Sequence, residues 1–325
     1  MKRLLSVIAL ASLAYSGWWF YAANTLRSDI ESWFAAQQAA GLKASFADLT
    51  VRGFPNRTDA TLTDLILTSE DGRFGWRAPF LQILGLSYKQ GHVIVAWPDM
   101  QTLTTPEGDI AVTSDGLRAS VIHADNAVLR SNLEATVLNF TGPKRTLALA
   151  DVNAALQKIE TTYSTYRVAL SAGSAAVPSS DIAPSVGPES LASLRAEIDV
   201  SFEQSLTFDT LAAQPLRPTA IALHRSELAY GSVTFKFTGD ATLDDQGRAT
   251  GKVSITAENW RDALETARAS GDLPPVLADG LIDLLTLLAS FGASRDALDV
   301  TLGLDKGTVL FGPLPIGSLP PLMSR

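Results

Sequence analysis

The sequence predicts a mainly β (α+β) fold, with an N-terminal transmembrane helix followed by a large curved antiparallel sheet and a few packing helices. Three observations predict it: an uncharged apolar run near the N-terminus, a hydrophobic period of two beyond Gly41, and short turn-forming links between the alternating segments. The 325 residues are 46% hydrophobic and 18% charged, enough apolar content for a sizeable core, so disorder is not the default.

The first element is Leu4 to Ala23, twenty residues without a charge, preceded by Lys2 and Arg3. Twenty helical residues match the hydrocarbon thickness, and the positive flank places the rest of the chain across the membrane. Residues 1–23 therefore read as a single-pass signal anchor, with Trp18, Trp19, Phe20 and Tyr21 resembling an aromatic belt at the outer interface. A cleaved signal peptide is the competing reading, although Tyr21-Ala22-Ala23 fits an A-x-A cleavage pattern poorly. Without its first 23 residues the chain keeps 24 basic against 34 acidic residues, a net charge of −10.

Residues 24–41 are expected to form an amphipathic connecting helix. Ser28 and Glu31 make an S-x-x-E capping box, Ile30, Trp33 and Phe34 share a face, and Gly41 suits the C-cap. The apolar face is expected to pack on the following domain, with lipid headgroups as the alternative.

Residues 42–322 read as one β-rich domain. Leu49 and Val51 alternate with Thr50 and Arg52, and Ala119 and Val121 with Arg118 and Ser120. Tyr166, Val168 and Leu170, then Ile198, Val200 and Phe202, repeat the pattern. Val233, Phe235 and Phe237 face Val253, Ile255 and Ala257 across Asp244-Asp245-Gln246-Gly247, a hairpin whose Asp240, Asp244 and Asp245 have turn rather than calcium-loop spacing. Leu302 and Leu304 likewise face Val309 and Phe311 across Lys306-Gly307. Residues 171–190, rich in Ser, Pro and Gly, are either a linker or a long loop within one sheet. Helices are expected at Glu258–Arg268 and, buried against the sheet, at Val276–Phe291, and Gly312 to Pro321 is expected to leave the sheet as an extended segment.

A net charge of −8 excludes the concentrated basic face that nucleic acid needs. The lack of cysteine removes disulfides, thiolate nucleophiles and cysteine-ligated metals. His92, His123 and His224 are scattered, and no HExxH, GxSxG, Walker A or GxGxxG pattern occurs. No residue is assigned a catalytic, cofactor or metal role, and the chain is expected not to be an enzyme.

The run Asp48 to Arg57, Ala78-Pro79-Phe80-Leu81, the strand ending in Trp97-Pro98, Asn259-Trp260-Arg261 and Gly307 to Pro315 together resemble the proteobacterial envelope family catalogued as domain of unknown function 2125. The resemblance implies an inner-membrane protein with the bulk of its chain in the periplasm, and it carries no assigned activity. Arg52, Gly53, Phe54, Pro55, Trp97, Pro98 and Trp260 read as fold-defining positions: Gly53 supplies a positive φ, Pro55 fixes its own, and Phe54 is expected to plug the underside of the turn. The same short Arg52 to Pro55 run is similar to AsmA-like envelope proteins, whose curved sheets form lipid-accommodating grooves. The expected function is non-catalytic, holding lipid or another apolar envelope component on the sheet. The alternative is an assembly or scaffold factor that binds another envelope protein.

Overall fold

The structure is a computed structural model, described over residues 2–89, 91–144, 146–176, 192–213, 216–230, 233–261, 265 and 297–322. The chain divides into two compact units, one of Met1–Asp125 with Ser131–Leu147, the other of Asn126–Arg130 with Ala148–Arg325. All strand pairings described below are antiparallel, as short connections require.

The first unit opens with one helix, α1 (Lys2–Ala39), and not with two. The capping-box pattern at Ser28 and Glu31 lies inside it, because no glycine or proline between Trp18 and Gln38 interrupts the helical ladder. Its end follows the expected chemistry. Gly41 takes φ +95°, Gly41 N–H donates to Gln38 O (3.1 Å) and Leu42 N–H to Gln37 O (3.0 Å), which is a Schellman cap.

Strands β1 (Lys43–Ser45), β2 (Asp48–Arg52), β3 (Asp59–Thr68) and β4 (Gly75–Gly85) form a ladder in which β3 pairs with β1, β2 and β4. Its buried face, Ala44, Leu49, Ala60, Leu62, Leu65 and Ala78, receives Leu26, Ile30 and Phe34 of α1. The connecting segment thus packs on the domain, as its apolar face predicts, while Trp33 stays exposed. Arg27 donates to Leu49 O, and Gln38 Nε2 to Ala44 O at 2.6 Å, tying the polar edges of the helix to the same strands. The other strands of this unit are β5 (His92–Ala96), β6 (Met100–Thr105), β7 (Gly108–Asp115) and β8 (Arg118–Ala124), with β9 (Ala127–Thr141) contributing its later residues. Strand β4 pairs with β6 at one end and β5 at the other. Trp97-Pro98 ends β5, where Pro98 O accepts from Ser114 Oγ at 3.3 Å.

The second unit is a meander of β10 (Thr146–Lys158), β11 (Thr165–Ala176), β12 (Ala192–Phe202), β13 (Pro218–Tyr230), β14 (Val233–Leu243), β15 (Ala249–Glu258), β16 (Ala297–Asp305), β17 (Thr308–Phe311) and β18 (Leu314–Ser318). Each pairs with the next. A short helix, α2 (Phe208–Ala213), follows β12. Both expected hairpins form, with Phe237 opposite Ile255 and Leu304 opposite Val309. Lys306 and Gly307 both have positive φ, the backbone that a two-residue hairpin turn requires.

Two expectations differ from the structure. Ser171–Ala176 belong to β11, and the strands flanking 177–191 are antiparallel neighbours, Ala175 opposite Ala192, while residues 177–190 lie outside the described residues. The segment after Gly312 stays in the sheet as far as Ser318. It returns as β18, in which Pro315 sits opposite Leu310 at a register shift, a place where a missing N–H is tolerated. Of the expected helices, Val276–Phe291 and most of Glu258–Arg268 lie outside the described residues.

Candidate functional site

The family-like turn Gly53 to Arg57 is docked against α1 inside the apolar run. Gly53 has φ +111° and lies so close to Arg57 that a Cβ would sit 2.7 Å from Arg57 Cβ, and Arg57 N–H donates back to Gly53 O at 2.8 Å. The tight reversal turns two carbonyls toward the helix. Tyr15 Oη donates to Pro55 O at 2.8 Å, and Trp19 Nε1 donates to Arg57 O at 2.8 Å. Ser87 Oγ also donates to Pro55 O (2.9 Å) and lies 3.0 Å from Tyr15 Oη, while Ser87 N–H donates to Asn56 O.

Phe54 does not plug the underside of the turn. It faces outward, 49% exposed, stacked on Phe20 (centroids 5.9 Å apart) and edge-on to Trp19 (5.5 Å). Trp19 is 4% exposed, so it belongs to the docked stripe and not to a lipid-facing belt. Tyr15, Trp19, Ala23, Leu26, Ile30 and Phe34 recur at spacings of four, four, three, four and four, one face of a continuous helix turned toward the unit. That spacing is the sequence signal that identifies the docking face. Phe20, Tyr21, Tyr88 and Leu86 remain exposed around it, with Arg52, Arg57 and Lys89 nearby in the chain.

In the second unit, cross-strand partners share a face, and one face is apolar across most of the ladder. Val168, Ile198, Leu223, Gly239, Val253 and Leu302 form one row. The next contains Leu170, Ala196, Ser226, Phe237, Ile255 and Val300. Most of these side chains are only half-buried, and Leu170 and Leu194 are exposed. At one end Trp260, 5% exposed, packs on Phe235, Ala257 and Leu298, with the Arg261 guanidinium 4.8 Å over its ring. Its Nε1 is buried without a hydrogen-bond partner.

The opposite face is polar and internally neutralised. A depression of about 570 Å³ there holds Arg195, Glu227, Lys236 and Glu258, with Lys236 Nζ 2.5 Å from Glu258 Oε1. Nearby, Arg167 bonds Asp199 through Nε (2.8 Å) and one terminal nitrogen (2.9 Å), and His224 Nε2 lies 2.7 Å from the same carboxylate. The hydrogen bond from Arg167, aided by His224, holds Asp199 below its ordinary value. A depressed carboxyl pKa contributes stability above its unfolded value, and the contribution disappears as pH falls through the folded value. Asp199→Asn is therefore expected to lower stability by about 1 kcal/mol at neutral pH, and the urea midpoints of variant and parent should converge once acid protonates Asp199.

The three histidines lie apart. His92 pairs with Ser120 (2.9 Å), His123 lies 3.0 Å from Asp125 O and His224 with Asp199, on three different ladder positions. Among the described residues no three His, Asp or Glu side chains are grouped to hold a metal. The model of a bacterial family described as an uncharacterized protein conserved in bacteria, domain of unknown function 2125, matches residues 19–320. No curated protein and no solved structure matches the chain. The matched region begins at Trp19, inside the apolar run.

Proposed function

The chain belongs to the bacterial family of domain of unknown function 2125, and from that premise we propose a non-catalytic, single-pass inner-membrane protein that holds lipid on the apolar face of its second unit, in the periplasm. The observation that carries this reading is the apolar rows from β11 to β16, half-buried and partly exposed over six strands. Apolar surface of that extent, left in contact with water, costs roughly 25 cal/mol per Å² and favours an apolar occupant. The anchor is retained in this reading. Cleavage after Ala23 would strip Arg57 O of its donor and Pro55 O of one of its two, and uncover the surface against which Trp19 and Ala23 are buried.

Native mass spectrometry of the full chain, released from detergent micelles, tests the proposal. Retained phospholipid is expected, and Leu170→Asp with Leu194→Asp, both at exposed positions on the apolar face, should lose most of it without unfolding. A parent protein free of lipid would remove the proposal.

A second reading, a scaffold that recruits another envelope protein, draws on β18. Its five residues are exposed, including Leu314 and Ile316, and among the described residues it pairs with β17 alone. Crosslinking in intact cells separates the two: reproducible protein adducts without lipid favour the scaffold.

A further inference from the structure

We infer that the Gly53–Arg57 turn, with Leu86 and Tyr88 beside it, is itself a lipid-contacting element that enters the outer leaflet of the membrane when α1 spans it. The inference rests on the reading of α1 as a retained anchor, and goes beyond it by assigning the turn a ligand surface.

The geometry follows from helix rise. From Leu4, Tyr15 is about 17 Å along the axis and Trp19 about 22 Å, against a hydrocarbon core of ~30 Å. Both residues hydrogen-bond the turn. An apolar run that crosses the membrane therefore carries the turn with it into the outer leaflet, about 8 to 13 Å short of the outer end of the hydrocarbon, because the helix and the turn are fixed to each other at that level.

The turn is built to tolerate that depth. In lipid each backbone polar group needs a partner within the protein. Pro55 O has two donors, Arg57 O accepts from Trp19, Asn56 O from Ser87 N–H, Gly53 O from Arg57 N–H, and Gly85 O from Thr58 N–H. Exposed on the turn and beside it are Phe54, Phe20, Leu86 and Tyr88, together with Pro55, Asn56 and Arg57, whose guanidinium pairs with Asp59 at 2.8 Å. Phe54, Phe20 and Leu86 offer apolar surface to acyl chains, and Tyr88 adds a ring whose hydroxyl can reach toward the headgroups. Arg52 and Lys89, exposed and next in sequence to Gly53 and Tyr88, suit phosphate oxygens.

The absence of cysteine makes a spin-label test clean. Single variants Leu10→Cys, Phe54→Cys, Tyr88→Cys and Asp71→Cys of the full chain are labelled with a nitroxide. They are reconstituted into vesicles of phosphatidylethanolamine and phosphatidylglycerol, and power saturation is read with oxygen and with a water-soluble nickel chelate. The oxygen-to-nickel ratio at positions 54 and 88 should exceed that at the exposed hairpin residue Asp71 several times over, with position 10 higher still. Position 88 is an independent readout should Phe54→Cys loosen the docked helix. Lipid exposure at position 10 with nickel exposure at both 54 and 88 overturns the turn's role and leaves the anchor standing. Nickel exposure at position 10 overturns the anchor reading and the inference with it. Low access to both reagents at 54 and 88, the mark of a protein partner, also overturns it.

Discussion

Gly251→Ala is expected to break the ladder of the second unit, lowering its stability by about 3 kcal/mol or more and its melting temperature by on the order of 10 °C. A Cβ built on Gly251 meets Asp240 O at 2.0 Å and Ala241 Cα at 2.7 Å, both backbone atoms of β14 that no rotamer change can move away. Gly239, two register positions away, is equally closed: its Cβ would lie 2.2 Å from Lys252 O, and its φ of +156° is a backbone that side chains avoid. Two strands in the middle of the meander thus approach through glycines that face one another diagonally. Lys252→Ala, at the neighbouring exposed position, should stay within about 0.5 kcal/mol of the parent. Urea unfolding followed by circular dichroism separates the two variants.

Trp19→Ala should cost about 3 to 5 kcal/mol in the first unit, the range for removing a buried tryptophan. Three losses combine. The indole vacates a site where it is 4% exposed, its contacts with Phe54 and Phe20 disappear, and Arg57 O loses its donor. The helix should then separate from the turn, and limited proteolysis of the full chain in detergent should cut between Arg27 and Arg57 faster than in the parent. Phe20→Ala, at an exposed position that stacks on Phe54 and meets Trp19 edge-on but makes no hydrogen bond to the turn, should have a much smaller effect. Equal protease resistance in Trp19→Ala and the parent would show that the docked stripe adds no stability.

Much of the strand pattern was legible because alternation acts over a few residues. Val233 to Ala257 reads as a hairpin from its own apolar positions and its aspartate-rich turn, and Asp244 indeed accepts from Gln246 N–H (3.0 Å) and Arg248 N–H (2.9 Å). Gly41 as a cap is equally local. The continuous α1 was harder to read, since Ser28 and Glu31 carry a start signal that an uninterrupted helix overrides. Trp19 was harder still. Aromatic residues at the end of an apolar run have the same composition whether they face lipid or a protein surface, and only the stripe continuing through Ala23, Leu26, Ile30 and Phe34 tells them apart. Phe54 followed the same rule: its partner, Phe20, lies 34 positions away in sequence, beyond any local pattern. Pro315 pointed away from a sheet, yet an edge strand accepts proline on its unpaired side, whereas Pro320-Pro321 fall after β18 has ended at Ser318.

The central claim is that the apolar rows of the second unit hold lipid, and residue-specific photocrosslinking tests it most directly. A benzophenone side chain placed at Ile255, on the apolar face, or at Thr256, one residue along β15 and on the polar face, is irradiated in intact cells and the adducts are weighed. Phospholipid adducts at Ile255 with none at Thr256 are the predicted result. Protein adducts alone, or lipid adducts at both positions alike, would contradict it.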